Sequence, residues 1–178
     1  MKKDIRIAIS GRSGCGNTTI SKMVADSLNL RFINFTFRSL ASEFKIDLKK
    51  ILELAASDDF WDKEVDTRQV MIARENGGCV LGSRLAIWML EEADLKVYLN
   101  VSHKIRVNRI IEREGGNFSE VSEFTIDRDK QDHGRYLKIY GINTDNYNFA
   151  DLIINADNIS PQEITDMIIT RAKKIMLV

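Results

Sequence analysis

The chain has 178 residues, which suggests one domain large enough to bury a substantial core. Its apolar share of 44% and charged share of 29% are those of a soluble globular protein. Lys plus Arg and Asp plus Glu are both 26, so the formal net charge is zero and no global basic field points to a nucleic-acid partner. No apolar run is long enough for a membrane span, so no membrane partner is expected. The basic Met1-Lys2-Lys3 is followed by an apolar stretch too short for a signal peptide. Cys15 and Cys79 have the spacing of neither a zinc site nor a disulfide framework, which fits a cytoplasmic setting. The expected state is a monomer or a weak homo-oligomer.

The elements alternate along the chain. Residues 5–10 (Ile-Arg-Ile-Ala-Ile-Ser) read as a strand, 18–28 as a helix and 31–34 as a short strand. Helices follow at 37–43, 48–56 and roughly 61–75, with Asp47 as a cap of the second. Gly77-Gly78 ends that run. Residues 79–81 read as a buried strand, 85–91 as a short helix and 95–99 as another strand. Ser102 is positioned to cap a helix that runs to Glu114 and stops at Gly115-Gly116. A long helix spans about 119–140, and 152–154 is the last strand. Ser160-Pro161-Gln162-Glu163 opens the final helix with a capping box and a proline in its first turn. Five short apolar strands separated by helices predict an α/β fold with a parallel sheet covered on both faces. Ligands in such sheets bind at the carboxyl ends of the strands.

One such end carries Gly11-Arg12-Ser13-Gly14-Cys15-Gly16-Asn17-Thr18-Thr19. It has the shape of a phosphate-binding loop, G-x-x-x-x-G-K-[ST], with Asn17 in the lysine position. Backbone N–H groups of such a loop, together with the positive end of the following helix, hold polyphosphate. Thr18 sits where a hydroxyl ligates Mg²⁺. An amide at 17 supplies hydrogen-bond donors but no charge on the transferred phosphate. The expected donor site is therefore the whole segment 11–19.

Arginines collect in the second half. Arg106, Arg109 and Arg113 share one helix face, and so do Arg128, Asp132 and Arg135. Arg113, Arg128 and Arg135 are expected to close over the transferring phosphate, since guanidinium groups bind phosphate oxygens bidentately and the loop lacks its lysine. Arg106 is expected at a solvated surface, in a face with internal pairs such as Arg109 with Glu112 and Arg128 with Asp132. Arg12 is expected to point outward. Arg84 leaves the third strand beside the loop, Arg38 follows the second strand, and Arg68 lies on the helix between; Arg38 and Arg84 are expected to grip a monophosphate. Asp58, Asp59 and Asp62 read as a helix start more readily than as a ribose or base contact. His103 and His133 show no metal spacing.

These residues resemble the nucleoside-monophosphate kinases, most closely the short cytidylate kinases of the archaeal type. The resemblance covers nearly the whole chain. It includes the amino-terminal loop, Phe37-Arg38, the Val80–Trp88 segment, Ala93–Leu99, Arg109-x-x-x-Arg113-x-Gly115, and Arg128-x-x-x-Asp132-x-x-Arg135-Tyr136-x-x-x-Tyr140-Gly141-Ile142. It implies a P-loop three-layer sandwich with sheet order 2-3-1-4-5. A helical monophosphate-binding insert at 35–76 and an arginine-bearing lid at 113–128 would interrupt a core of 1–34, 79–112 and 129–178. In the family, residues matching Arg128, Asp132 and Arg135 contact the nucleotide's sugar and phosphates. Two positions depart from its pattern: Asn17, and Gly82-Ser83, where an acidic residue and a glycine are common. The implied activity is transfer of the γ-phosphate from ATP·Mg²⁺ to CMP or dCMP, with Arg38, Arg68, Arg84 and Asp132 binding the acceptor and Arg113, Arg128 and Arg135 catalytic. The alternatives are a silent nucleotide-binding relative, or a kinase acting on another acceptor such as AMP or shikimate.

Overall fold

Strand β1 (Arg6–Gly11) is the hub of the molecule: Ile7, Ala8 and Ile9 have no exposed surface. Consecutive buried apolar residues require cover on both faces of a strand. The sidedness alternates as the pleat demands: Ile7 and Ile9 face one core cluster and Ala8 the other. β1 pairs with β3 (Cys79–Gly82) and with β4 (Leu95–Asn100), while β2 (Arg31–Ile33) flanks β3 and β5 (Leu152–Asn155) flanks β4. Every pair is parallel and the order is β2-β3-β1-β4-β5, as the resemblance implied. The computed structural model describes residues 4–55 and 57–177. Met1-Lys2-Lys3 and Ala56, the expected end of the helix at 48–56, lie outside them.

Helices α1 (Asn17–Leu28) and α8 (Pro161–Met176) cover the first face through Ile20, Val24, Ile164 and Ile168. The second face is covered by α4 (Phe60–Asn76) and α5 (Ala86–Met89) through Val70, Ala73, Ala86 and Ile87. Between β2 and β3, α2 (Phe37–Phe44), α3 (Leu48–Ala55) and the start of α4 form a small cluster of their own around Leu40, Ala41 and Ile51. Helices α6 (His103–Glu114) and α7 (Phe118–Tyr140) are joined by Gly115-Gly116, both at positive φ (81° and 105°).

Most boundaries fall within a residue or two of expectation. The helix expected at 85–91 is shorter, Ala86–Met89, because the chain turns at the buried Leu90 and the Ala93 amide donates to its carbonyl. Ser160 and Glu163 form the expected capping box, with Pro161 in the first turn of α8. Ser102 occupies the cap position of α6 but its side chain makes no capping bond; its amide instead donates to Asp157 Oδ1 at 2.7 Å.

Candidate active site

The loop leaving β1 makes its turn at Gly14 and Gly16, at φ 80° and 89°, where a side chain is strained. Gly16 is also the N-cap of α1, and no side chain caps that end. The first-turn N–H groups of α1 are therefore without a side-chain acceptor at the positive end of a helix. Gly11 is a glycine for another reason: a Cβ there would stand 2.8 Å from the Leu99 carbonyl oxygen and 2.6 Å from Cys15 Sγ.

Two arginines brace the loop from behind. Arg106 Nη1 donates to the Ser13 carbonyl at 2.9 Å, and Nη2 to Asp129 Oδ2 at 2.7 Å. Arg109 Nη1 donates to the Cys15 carbonyl at 3.0 Å and Nη2 to the Ala156 carbonyl at 2.9 Å. This corrects the expectation of a solvated Arg106, which is only 2% exposed. The pairs Arg109–Glu112 and Arg128–Asp132 do not form among the described residues, because loop carbonyls and other cations have taken these partners. The missed signal was apolar: Arg106 shares its buried face with Val107 and Ile110.

The loop opens on a cleft of about 750 Å³. Asn34–Phe37 and the α4 residues Val65, Asp66 and Gln69 form one wall; Arg109, Glu112, Arg113, Pro161 and Ile164 form the opposite end. Thr18 and Thr19 are exposed in its floor. Asn17 also faces it, with Oδ1 accepting from the buried Ser21 hydroxyl at 2.9 Å. No protein group takes Asn17 Nδ2 among the described residues. The same packing accounts for Gly82: a Cβ there would sit 2.7 Å from Ser21 Cβ and 3.3 Å from Asn17 Oδ1. The departures at 17 and 82 are thus neighbours in space, and Ser21 occupies the room that a side chain at 82 would need.

The arginines divide into paired and unpaired. Arg84 lines the cleft and is ion-paired to Asp132, which also accepts from Arg135 at 3.0 Å. Arg135 additionally faces Asp62 at 3.4 Å and lies over the Tyr136 ring. Arg113 lines the cleft and pairs with Glu114 on the surface. Arg128 lines the cleft with no hydrogen bond or ion pair among the described residues. Desolvation and the neighbouring Arg84 charge lower its pKa, against a smaller opposing pull from Asp132 and Glu114. Arg12 is tied to Asp145 at 2.6 Å, across a second cavity of about 300 Å³. Arg38 is exposed and lines neither cavity, and Arg68, also outside both, faces Glu43 and Glu64 at 3.7 and 3.6 Å. Arg84 and Arg128 thus line the cleft, and Arg38 does not.

The cleft is also lined by Asp66 and Gln69, neither of which the sequence singles out. Burial pushes Asp66 up to about 6, opposed by the Tyr140 hydroxyl, which donates to Oδ2 at 3.0 Å. In the acidic cluster, Asp59 is the N-cap residue of α4 but makes no side-chain capping bond; Asp58, one residue earlier, accepts from the Phe60 amide at 2.9 Å, while Asp62 is buried at 7% exposure against Arg135. His133 Nδ1 meets Thr144 Oγ1 at 3.0 Å, and among the described residues no His, Cys, Asp or Glu cluster has a metal-holding arrangement. Both cysteines are free and buried. No helix among the described residues is long and apolar enough to cross a membrane.

A five-stranded parallel sheet of this order, with a glycine-rich loop between its central strand and a helix that it leaves uncapped, defines a P-loop kinase fold. Solved structures agree over nearly full length: a shikimate kinase from Bacteroides thetaiotaomicron (TM-score 0.63, 20% identity, 98% of this chain and 99% of that one) and a deoxyadenosine kinase from M. mycoides with bound dATP (TM-score 0.57, 15% identity, 95% and 100%). Residues 6–158 match the model of the cytidylate kinase-like family, and the chain belongs to that family. Among its relatives are cytidylate kinase 2 of Borreliella burgdorferi, 45% identical over 92% of this chain and 93% of that protein, and the cytidylate kinase of Methanocorpusculum labreanum, 37% identical over 90% and 92%.

Proposed function

We propose that the chain transfers the γ-phosphate of ATP to CMP or dCMP, giving ADP and CDP or dCDP. The observation that carries this reading is the unpaired Arg128 guanidinium, which shares one cleft with the uncapped start of α1. A cation without a counter-ion beside a ring of free backbone donors is a site awaiting polyphosphate. Phosphoryl transfer needs positioning and charge neutralisation more than covalent chemistry.

In this reading the amides of 13–19 hold the donor phosphates, and Asn17 Nδ2 donates where a lysine would otherwise act. The end walled by Arg109, Glu112, Arg113, Pro161 and Ile164 takes the donor base. The acceptor lies against α2 and α4, with Arg84 on its phosphate and Asp132 holding Arg84 and Arg135 in place. Arg128 and Arg113 close over the transferring group as the segment 113–128 folds down, which excludes water. The Thr18 hydroxyl, exposed in the cleft floor, fits a hard cation that keeps most of its waters. Such an ion would neutralise charge on the donor phosphates.

A coupled assay of ADP release from ATP against CMP, dCMP, AMP, GMP and UMP tests the proposal. CMP is expected to give the highest kcat/KM. A higher value with AMP would replace the acceptor, and ATP binding without any turnover would establish a silent relative, the reading that Asn17 taken alone favours.

A further inference from the structure

Of α4, only Val65, Asp66 and Gln69 reach the wall of the cleft. Asp66 and Gln69 are three apart and share one helix face. Neither is fully used by the protein. Asp66 Oδ2 accepts from Tyr140, but Oδ1 receives only a long contact, 3.4 Å, from Gln69 Nε2. Gln69 is 5% exposed, and that contact is the one hydrogen bond of its side chain among the described residues. A nearly buried amide normally satisfies both its oxygen and its nitrogen. The unused capacity is a carboxylate acceptor beside an amide, in the lining of a cleft that also includes Phe35, Phe37 and Val65. That is apolar surface for a flat ring and polar groups for its edge.

We propose that Asp66 and Gln69 read the Watson–Crick edge of the acceptor base, with the Asp66 carboxylate accepting from the 4-amino group of cytosine and the Gln69 amide donating to N3 or O2. This rests on the kinase reading above and names its base selector. Cytosine presents a donor next to an acceptor, whereas uracil presents acceptor O4 next to donor N3–H. The Gln69 amide turns to suit either edge, since it carries both a donor and an acceptor. An ionised carboxylate cannot: it meets uracil O4 with like polarity and no proton between. Asp66 is therefore the discriminating group, and Tyr140, by occupying Oδ2, fixes which oxygen remains for the base. Adenine shares the amino-next-to-acceptor pattern, so the contrast that isolates this subsite is cytosine against uracil.

The test compares kcat/KM for CMP and UMP at saturating ATP in the full chain and in Asp66→Asn, with folding checked by circular dichroism. An asparagine keeps the acceptor for Tyr140 but offers NH₂ to O4, so the CMP-to-UMP ratio is expected to fall on the order of tenfold or more. A second measurement needs no variant: the parent enzyme is given the monophosphate of pyrimidin-2-one riboside, which lacks the 4-amino group, and is expected to use it on the order of tenfold less efficiently than CMP. A parent that prefers CMP, yet handles the des-amino analogue equally well and keeps its CMP-to-UMP ratio in Asp66→Asn, overturns the base-reading role and leaves the kinase standing. A parent that phosphorylates no pyrimidine monophosphate overturns the kinase reading itself.

Discussion

The Ser21 hydroxyl donates to Asn17 Oδ1 at 2.9 Å, one helical turn along α1 from the phosphate loop. With its oxygen engaged, the Asn17 amide keeps both N–H donors for the cleft. The cleft thus meets an oriented amide dipole at position 17, and Ser21 supplies the orientation.

That relationship makes Ser21→Ala a kinetic variant rather than a mere packing change. The KM for ATP is expected to rise a few-fold, since a neutral hydrogen bond contributes about 1 kcal/mol. In an Asn17→Ala background the same replacement should add nothing, which a double-mutant cycle of steady-state kinetics measures. Independent, multiplying effects would place the action of Ser21 elsewhere. Asn17→Lys is expected to be tolerated and to tighten ATP, with the parent already releasing ADP in a CMP-dependent manner.

Arg128 and Arg135 should separate on mutation, although they lie seven residues apart on one helix. Arg135 is already compensated by Asp62 and Asp132, whereas Arg128 has no partner of its own among the described residues. Arg128→Ala is expected to lower kcat by on the order of 10³-fold with little change in ATP affinity, the scale of a lost phosphoryl-stabilising arginine. Arg135→Ala should cost less in kcat and more in acceptor KM, because it releases Asp62 and Asp132. Equal kcat losses in the two variants would contradict this division.

The raised pKa of Asp66, about 6, has a definite sign for stability. The folded protein holds this proton more tightly than the unfolded chain does. The stabilisation is therefore complete below the ordinary carboxylate range and disappears as pH rises through about 6. Asp66→Asn removes the titration, so the stability difference between parent and variant should shift against the parent by on the order of 2 kcal/mol between pH 4 and pH 7.5. Urea unfolding of both proteins at the two pH values checks it; a constant difference would mean that Asp66 titrates normally.

Much of this was legible in the chain itself. The unbroken apolar run of β1 fixed a doubly covered strand, and Ser160-Pro161-Gln162-Glu163 announced α8 by chemistry that acts within four residues. The resemblance carried the sheet order. What spacing alone could not carry was the fate of a side chain whose partner lies far away in sequence. Arg106 and Arg113 occupy one helix face by spacing, yet one is buried against Ser13 and Asp129 and the other lies at the surface beside Glu114. Asp66 and Tyr140 are 74 residues apart, and nothing local to either distinguishes it from an ordinary helix residue.

The Ser13–Arg106–Asp129 connection has a mechanical consequence. A single buried guanidinium fastens the loop to the middle of α7. The residues of α7 beyond that fastening are held further by Asp132, Arg135 and Tyr140, while those before it carry Phe118, Phe124 and Ile126 into solvent but are tied to α6 where His103 Nε2 meets Ser122 Oγ at 2.8 Å. The glycine-rich loop and Arg128, one residue before that fastening, are therefore held in register by the same guanidinium, so a displacement of α7 at this point would be felt at the Ser13 carbonyl.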